Sequence, residues 1–108
     1  MKIVGTGSCL PQRVVSNDDL AAIMDTSDEW ISSRTGIRNR HIATTETTTS
    51  LACDAVKSAL QDAGIDGSEI ELIIAASVST DKIVPSLACQ IQAEIGAEGA
   101  VAFDINAA

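Results

Sequence analysis

Apolar positions along this chain fall into distinct rhythms, and each rhythm predicts an element. The clearest covers residues 50–63, where Leu51, Ala52, Ala55, Val56, Ala59, Leu60 and Ala63 recur at helical spacing ahead of Gly64. That period predicts an amphipathic helix with a left-handed stop at the glycine. So many alanines on one face predict close approach to a neighbouring backbone. Residues 72–78 are apolar except for Ser77, the pattern of a parallel strand covered by helices on both faces. Pro85-Ser86 then opens a helix with Leu87, Ile91 and Ile95 on one stripe, closed by Gly96. Residues 100–105 read as a strand, with Val101, Phe103 and Ile105 pointing one way and Ala102, Asp104 and Asn106 the other.

The first half of the chain is less regular. Residues 2–8 read as a strand ending before Pro11. Gly5-Thr6-Gly7 begins like a dinucleotide-binding turn, but the position of the third glycine is Leu10 and no helix opens there. These glycines are therefore expected to permit close backbone packing within a strand. Ser16-Asn17-Asp18-Asp19 is a helix start, with Leu20, Ile23 and Met24 as a short apolar stripe. Thr26 and Glu29 have capping-box spacing, so a second helix is expected over residues 27–34, ended by Gly36. Residues 37–43 should run extended. The threonine-rich stretch 44–50 should be a loop whose hydroxyls cap the next helix. A one-turn helix should start at Ser68. Strand, helix, strand, helix, strand is an α/β layout, and it breaks off after a core strand at Ala107-Ala108. One partial domain over residues 1–108, continued by further chain, is the expectation.

Chemistry concentrates in DTSDEWISSRTGIRNR, residues 25–40. Trp30 is the only tryptophan, and Arg34 follows it by one helical turn. A flat ring beside a guanidinium suits a nucleotide-like ligand, the base stacked and its phosphates paired. The same spacing also suits a partly buried anchor with a surface ion pair.

Composition narrows the field. The chain has 108 residues, 45% hydrophobic and 20% charged, with fifteen acids against seven Lys and Arg for a net charge of −8. Such a balance argues against nucleic acid as the main partner. Arg34, Arg38 and Arg40 nonetheless fall within seven positions. They form either a local anion site or a set of pairs with nearby carboxylates. Cys9, Cys53 and Cys89 are widely spaced, with His41 the only histidine. A zinc ribbon is excluded, and reduced, buried thiols are expected. No apolar run is long enough to cross a bilayer and no signal-peptide pattern is present, so a cytoplasmic protein without a membrane partner is the default.

The motifs DTSDEWISSRTGIRNRHIA, VPSLACQIQAEIG and AFDINAA, in this order and spacing, resemble the amino-terminal part of β-ketoacyl-acyl-carrier-protein synthase III. The opening GTGSCLPQRVVSNDDL is similar to the start of that family, so the resemblance spans essentially the whole chain. It implies a thiolase-like fold of five α-β-α-β-α layers, this chain being part of the first half. It also implies an acyltransferase that starts fatty acid synthesis. An acyl group would pass from coenzyme A to an active-site Cys and then condense with malonyl-acyl carrier protein as carbon dioxide leaves. The enzyme would be a homodimer with no permanently bound cofactor and no metal, acyl-CoA being its substrate.

Residue by residue, the resemblance implies that Trp30 stacks on the adenine of coenzyme A, that Thr26 helps to hold the same base, and that Arg34 lies by the nucleotide's phosphates. It implies a nucleophilic Cys directly after Ala108, with the catalytic His and Asn further on, so no catalytic residue falls within 1–108. It also places Val84 at the dimer contact, reaching into the partner's acyl pocket. A bulky aromatic there would restrict the primer, and Val predicts room for longer or branched primers. Rival readings are a related condensing enzyme with another acceptor, of the hydroxymethylglutaryl-CoA synthase or polyketide starter type, and a non-catalytic coenzyme A-binding or scaffold protein.

Overall fold

In the computed structural model, which describes residues 1–106, the chain forms two compact units. One joins residues 1–9 to the chain from Thr47 onward. The other is Leu10–Glu46.

The larger unit is built on two parallel strands, β3 (Leu72–Ala76) and β4 (Val101–Ile105), in the register Ile73 opposite Ala102 and Ala75 opposite Asp104. Helices α3 (Thr48–Ala63) and α4 (Leu87–Glu94) cover one face of the pair. Cys53, Ala75, Leu87, Ala88 and Ile91 form the buried core, with Val56, Ile73, Ile95 and Ala102 packed against it. The other face carries Leu72, Ile74, Val101, Phe103 and Ile105, all 40 to 62% exposed. Among the described residues both helices lie on one side of the pair, and the other face is left uncovered. The predicted alternation in β4 holds, but its large apolar residues face away from the helices. Small Ala102 and the carboxylate of Asp104 occupy the covered side.

That choice has a reason. Asp104 accepts hydrogen bonds from the Leu87 and Ala88 N–H groups, at 2.8 and 2.7 Å. The Ser86 hydroxyl accepts from Cys89 N–H, and Gln90 N–H reaches the Ser86 carbonyl. All four amide groups that open α4 thus have partners. The start of α3 is satisfied in the same way. Thr47 and Ser50 form a capping box, while Asp81 accepts from Thr48 and Thr49 N–H at 3.1 and 2.7 Å. In both helices a carboxylate distant in sequence spans the first two N–H groups, where the helix dipole favours negative charge. A one-turn 3-10 helix, η1 (Gly67–Glu69), leads into β3.

Residues 2–8 are not a strand. No ladder partner exists for them among the described residues, and a β-strand without a partner leaves its backbone groups unpaired. Their glycines do what was expected of them. A Cβ on Gly5 would lie 2.6 Å from the Ala59 carbonyl oxygen, and one on Gly7 would collide with the backbone at Ala55 and Ala59. Hence the alanine face of α3: chain and helix touch backbone to backbone.

In the smaller unit, β1 (Arg13–Ser16) pairs antiparallel with β2 (Asn39–Ile42), within the stretch expected to run extended. Helix α1 (Asn17–Ala21) starts at the Ser16 and Asp19 capping box but is shorter than its apolar stripe suggested. Ile23 and Met24 fall beyond it and are exposed. Helix α2 (Asp28–Thr35) ends at Gly36, with φ +72° as predicted. Asn17, only 1% exposed, organises the unit. Its amide donates to Asp28 and to the Ile37 carbonyl, at 2.7 and 2.8 Å, and its oxygen accepts from Arg40.

The edge of this unit depends on Glu46, whose carboxylate accepts from the N–H groups of Gln12, Thr44 and Thr45 at 2.9–3.1 Å. Those bonds, Gln12's foremost, hold its carboxyl down to about 2 from an ordinary 4.5. The folded state binds this proton less readily than the unfolded one. Its stabilisation is therefore complete above pH 4.5 and fades as the pH falls toward 2. Wild type and Glu46→Gln should accordingly differ most in denaturant midpoint above that upper value and converge in acid. A gap independent of pH would show that the charge is not what the amides read.

Candidate functional site

Helix α2 presents the candidate binding residues. Its N-cap is Ser27, whose hydroxyl accepts from Trp30 N–H at 3.1 Å. The cap predicted at Thr26 is thus displaced by one residue. With Ser27 as cap, Trp30 takes the third helical position, and Glu29 cannot reach back as a capping-box partner. Thr26 is freed from that duty, and its hydroxyl makes no hydrogen bond among the described residues.

Trp30 and Arg34 share one side of the helix as their spacing predicted. The guanidinium carbon of Arg34 stands 4.5 Å from the centroid of the indole, a cation–π contact. Trp30 is 55% exposed, so more than half of its surface is open to a ligand among the described residues. Two concavities flank it. One, of about 340 Å³, is lined by Asp25, Thr26, Ser27 and Trp30. The other, of about 290 Å³, is lined by Ser27, Glu29, Trp30, Ser33 and Arg34. Arg34 therefore lines one of the two spaces beside the indole, and the Thr26 and Ser27 hydroxyls with the Asp25 carboxylate line the other.

The three arginines do not form a cluster. Arg40 donates to Val15 carbonyl and to Asn17, inside the unit. Arg38 reaches Asp28 at 3.4 Å in an exposed and weak pair. Of the three, Arg34 alone has neither an ion pair nor a hydrogen bond among the described residues, its contact being with the ring. A shared anion site is replaced by a single available cation beside a ring.

Val84 belongs to the other unit. It sits at the tip of the loop between β3 and α4, 82% exposed, next to Ile83 at 94%. The thiols of Cys9, Cys53 and Cys89 are free. Cys53 is buried, and burial pushes its thiol pKa up, away from a nucleophile's. Cys9 and Cys89 are only partly buried, contrary to expectation. No group of three or more metal-ligating side chains occurs among the described residues, and none of their helices is long and apolar enough to cross a membrane. Ala107, Ala108 and the nucleophile expected after them lie outside the described residues.

Sequence reasoning missed Asn17, Asp81 and Asp104. Asp104 had left a signal, a carboxylate in the middle of a strand whose neighbours are all apolar. Asp81, in a polar loop, had left none.

With this geometry in hand, comparison with known proteins is informative. No protein-family model matches the chain. It is 52% identical over 107 residues to the β-ketoacyl-[acyl-carrier-protein] synthase III of Streptococcus sanguinis (strain SK36), covering 99% of this chain and 33% of that one. The protein of the same name from Clostridium acetobutylicum is 50% identical over 108 residues, again 33% of its length. The crystal structure of 3-oxoacyl-[acyl-carrier-protein] synthase III from Aquifex aeolicus VF5 matches with a TM-score of 0.93 and 51% identity, over 98% of this chain and 34% of that one. The priming β-ketosynthase of the R1128 polyketide biosynthetic pathway matches at 0.92 and 38%, over 98% and 32%.

The fold is that of the thiolase-type condensing enzymes, as the resemblance implied. Within that class the chain fits as part of a β-ketoacyl-[acyl-carrier-protein] synthase III, and it spans about a third of the length of the curated relatives it matches.

Proposed function

We propose that this chain is the coenzyme A-contacting portion of a β-ketoacyl-[acyl-carrier-protein] synthase III that initiates fatty acid synthesis. The observation that carries the reading is the half-exposed indole of Trp30, with the Arg34 cation against the ring and a concavity beside it lined by Asp25, Thr26 and Ser27. Water is a poor neighbour for an indole face, and a stacked base is a good one. Adenine packs against Trp30 with Thr26 at its edge, and Arg34 pairs with the phosphates once it swings from the ring. The ligand is acyl-CoA as substrate, not a resident cofactor.

In the complete enzyme a thiolate beyond Ala108 attacks the thioester carbonyl, the coenzyme A thiolate leaves and takes a proton, and an acyl-Cys forms. Malonyl-acyl carrier protein then loses carbon dioxide. The resulting carbanion attacks the acyl-Cys, freeing the Cys and leaving a 3-oxoacyl group on the carrier. A cytoplasmic homodimer, with Val84 at the partner's acyl pocket, completes the reading. Similarity to a priming polyketide synthase favours one variation, the same chemistry with a polyketide carrier protein as acceptor.

The test uses the full-length enzyme with acyl-CoA and malonyl-acyl carrier protein, followed by mass spectrometry of the carrier. A 3-oxoacyl carrier with matching carbon dioxide release is the expected product, and acyl transfer to any other acceptor would overturn the assignment. Val84→Phe in the same enzyme should lower kcat/KM for hexanoyl-CoA about tenfold or more while sparing acetyl-CoA. An unchanged chain-length profile would remove Val84 from the acyl pocket.

A further inference from the structure

The loop from Ser77 to Ser86 presents two apolar side chains at its tip, Ile83 and Val84, almost fully to solvent. A stretch with so little apolar burial would ordinarily sample many conformations. Here its polar groups are tied to three different elements. Ser77 N–H donates to the Ile105 carbonyl at the end of β4, at 3.3 Å. The Pro85 carbonyl accepts from the Gln90 side chain at 3.1 Å, and Ser86 caps α4. Between these ends the loop crosses the start of α3. There the Thr48 hydroxyl donates to the Ser79 carbonyl at 2.8 Å, and Asp81 takes the Thr48 and Thr49 N–H groups.

The middle tie restrains the tip from its amino-terminal side, Asp81 standing three residues before Val84, while the α4 ties at Pro85 and Ser86 restrain it from the other. Two charge-assisted hydrogen bonds to adjacent amides define both the position and the orientation of a carboxylate. A single bond would leave it free to pivot. The amides belong to a helix of sixteen residues, so on this side the tip is referred to α3 and not to the loop itself.

We infer that Asp81 is a positioning residue for primer selection: by spanning the first two N–H groups of α3 it sets where the Ile83–Val84 tip stands. The inference rests on the reading, made above, that places Val84 at the acyl pocket. It adds that selectivity depends on a residue that itself touches no acyl chain. Asp81→Asn keeps the shape but loses the charge, and turns an amide NH2 toward one of the two N–H donors. Once the tie is lost, the tip gives way to the acyl chain, and discrimination between long and short primers falls.

The experiment compares the full-length wild type with Asp81→Asn, Thr48→Pro and Val84→Phe, reading kcat/KM for acetyl-CoA and hexanoyl-CoA. Thr48→Pro attacks the same tie from the helix side. It removes one N–H and the hydroxyl that holds Ser79, at a first helical position that accepts proline and after an extended Thr47. Asp81→Asn and Thr48→Pro should each change the hexanoyl-to-acetyl ratio about threefold or more in the same direction, a fraction of what one methylene commands in a fitted pocket. The change should appear in the acyl-CoA parameters and leave the KM for malonyl-acyl carrier protein unaltered, which a general loss of structure would not. If Val84→Phe shifts the ratio and neither other variant does, the positioning role is refuted and the pocket reading stands. Should Val84→Phe also leave it unmoved, both fall together.

Discussion

Replacing Trp30 with alanine in the full-length enzyme is expected to raise KM for acyl-CoA by roughly 5- to 150-fold, with kcat at saturation little altered. The range corresponds to about 1–3 kcal/mol for one base stacked on an aromatic ring. The split follows from position. A side chain that holds the nucleotide end binds ground state and transition state alike, so its loss appears in KM. Trp30→Phe should retain part of the affinity, because a smaller ring still offers a stacking face. The cap of α2 survives the change, since Ser27 accepts from the backbone N–H of residue 30 and Trp30 is more exposed than buried. Steady-state kinetics over a range of acyl-CoA concentrations decide it, and an unchanged KM would remove the ring from the binding site.

The largest structural effect is expected at Gly7. A methyl group there meets backbone atoms of Ala55 and Ala59, which cannot rotate away as a side chain could. Chain and α3 must separate, and Gly7→Ala should cost about 3 kcal/mol or more, at or above the upper end of ordinary overpacking. Gly99→Ala is the matched control. A Cβ there meets nothing within 4 Å, and its backbone is not in the left-handed region. A surface change of that kind stays within about 0.5 kcal/mol. Thermal unfolding of the two variants beside wild type checks the pair. Equal effects would mean that the approach of residues 5–7 to α3 is not tight in solution.

Where period and punctuation agreed, the chain was legible. Helix α3 announced itself through its alanine stripe and Gly64, and α4 through Pro85-Ser86, because those signals are local and tertiary packing only reinforced them. The pairing of Trp30 with Arg34 was equally local, four residues on one helix. What the sequence concealed was long-range. Which face of β4 is covered depends on where α4 lies, and the alternation of residues 100–105 is compatible with either. The cap of α2 moved by one residue because Thr26 and Ser27 are both competent hydroxyls and only the chain's path selects between them. Residues 2–8 have a strand's composition, but a strand is a relation between two segments. Thr26, Trp30, Arg34 and Val84 owe their proposed roles to the family resemblance, and the fold supplies exposure, spacing and neighbours for them.

The Asn17 network has a consequence for the Leu10–Glu46 unit that bears the indole. Val15 is its one buried apolar side chain among the described residues, and Asn17 its one buried polar residue. Such a unit is cohered by directional bonds and exposes little oily surface when it opens. Its opening should therefore show a shallow denaturant slope and a small heat-capacity increment. Amide exchange there should outpace that of the sheet and helices built around Cys53 and Ile91. A nucleotide gripped by Trp30 would slow that exchange by mass action, and so the first effect of a bound thioester would be to stiffen the surface that recognises it.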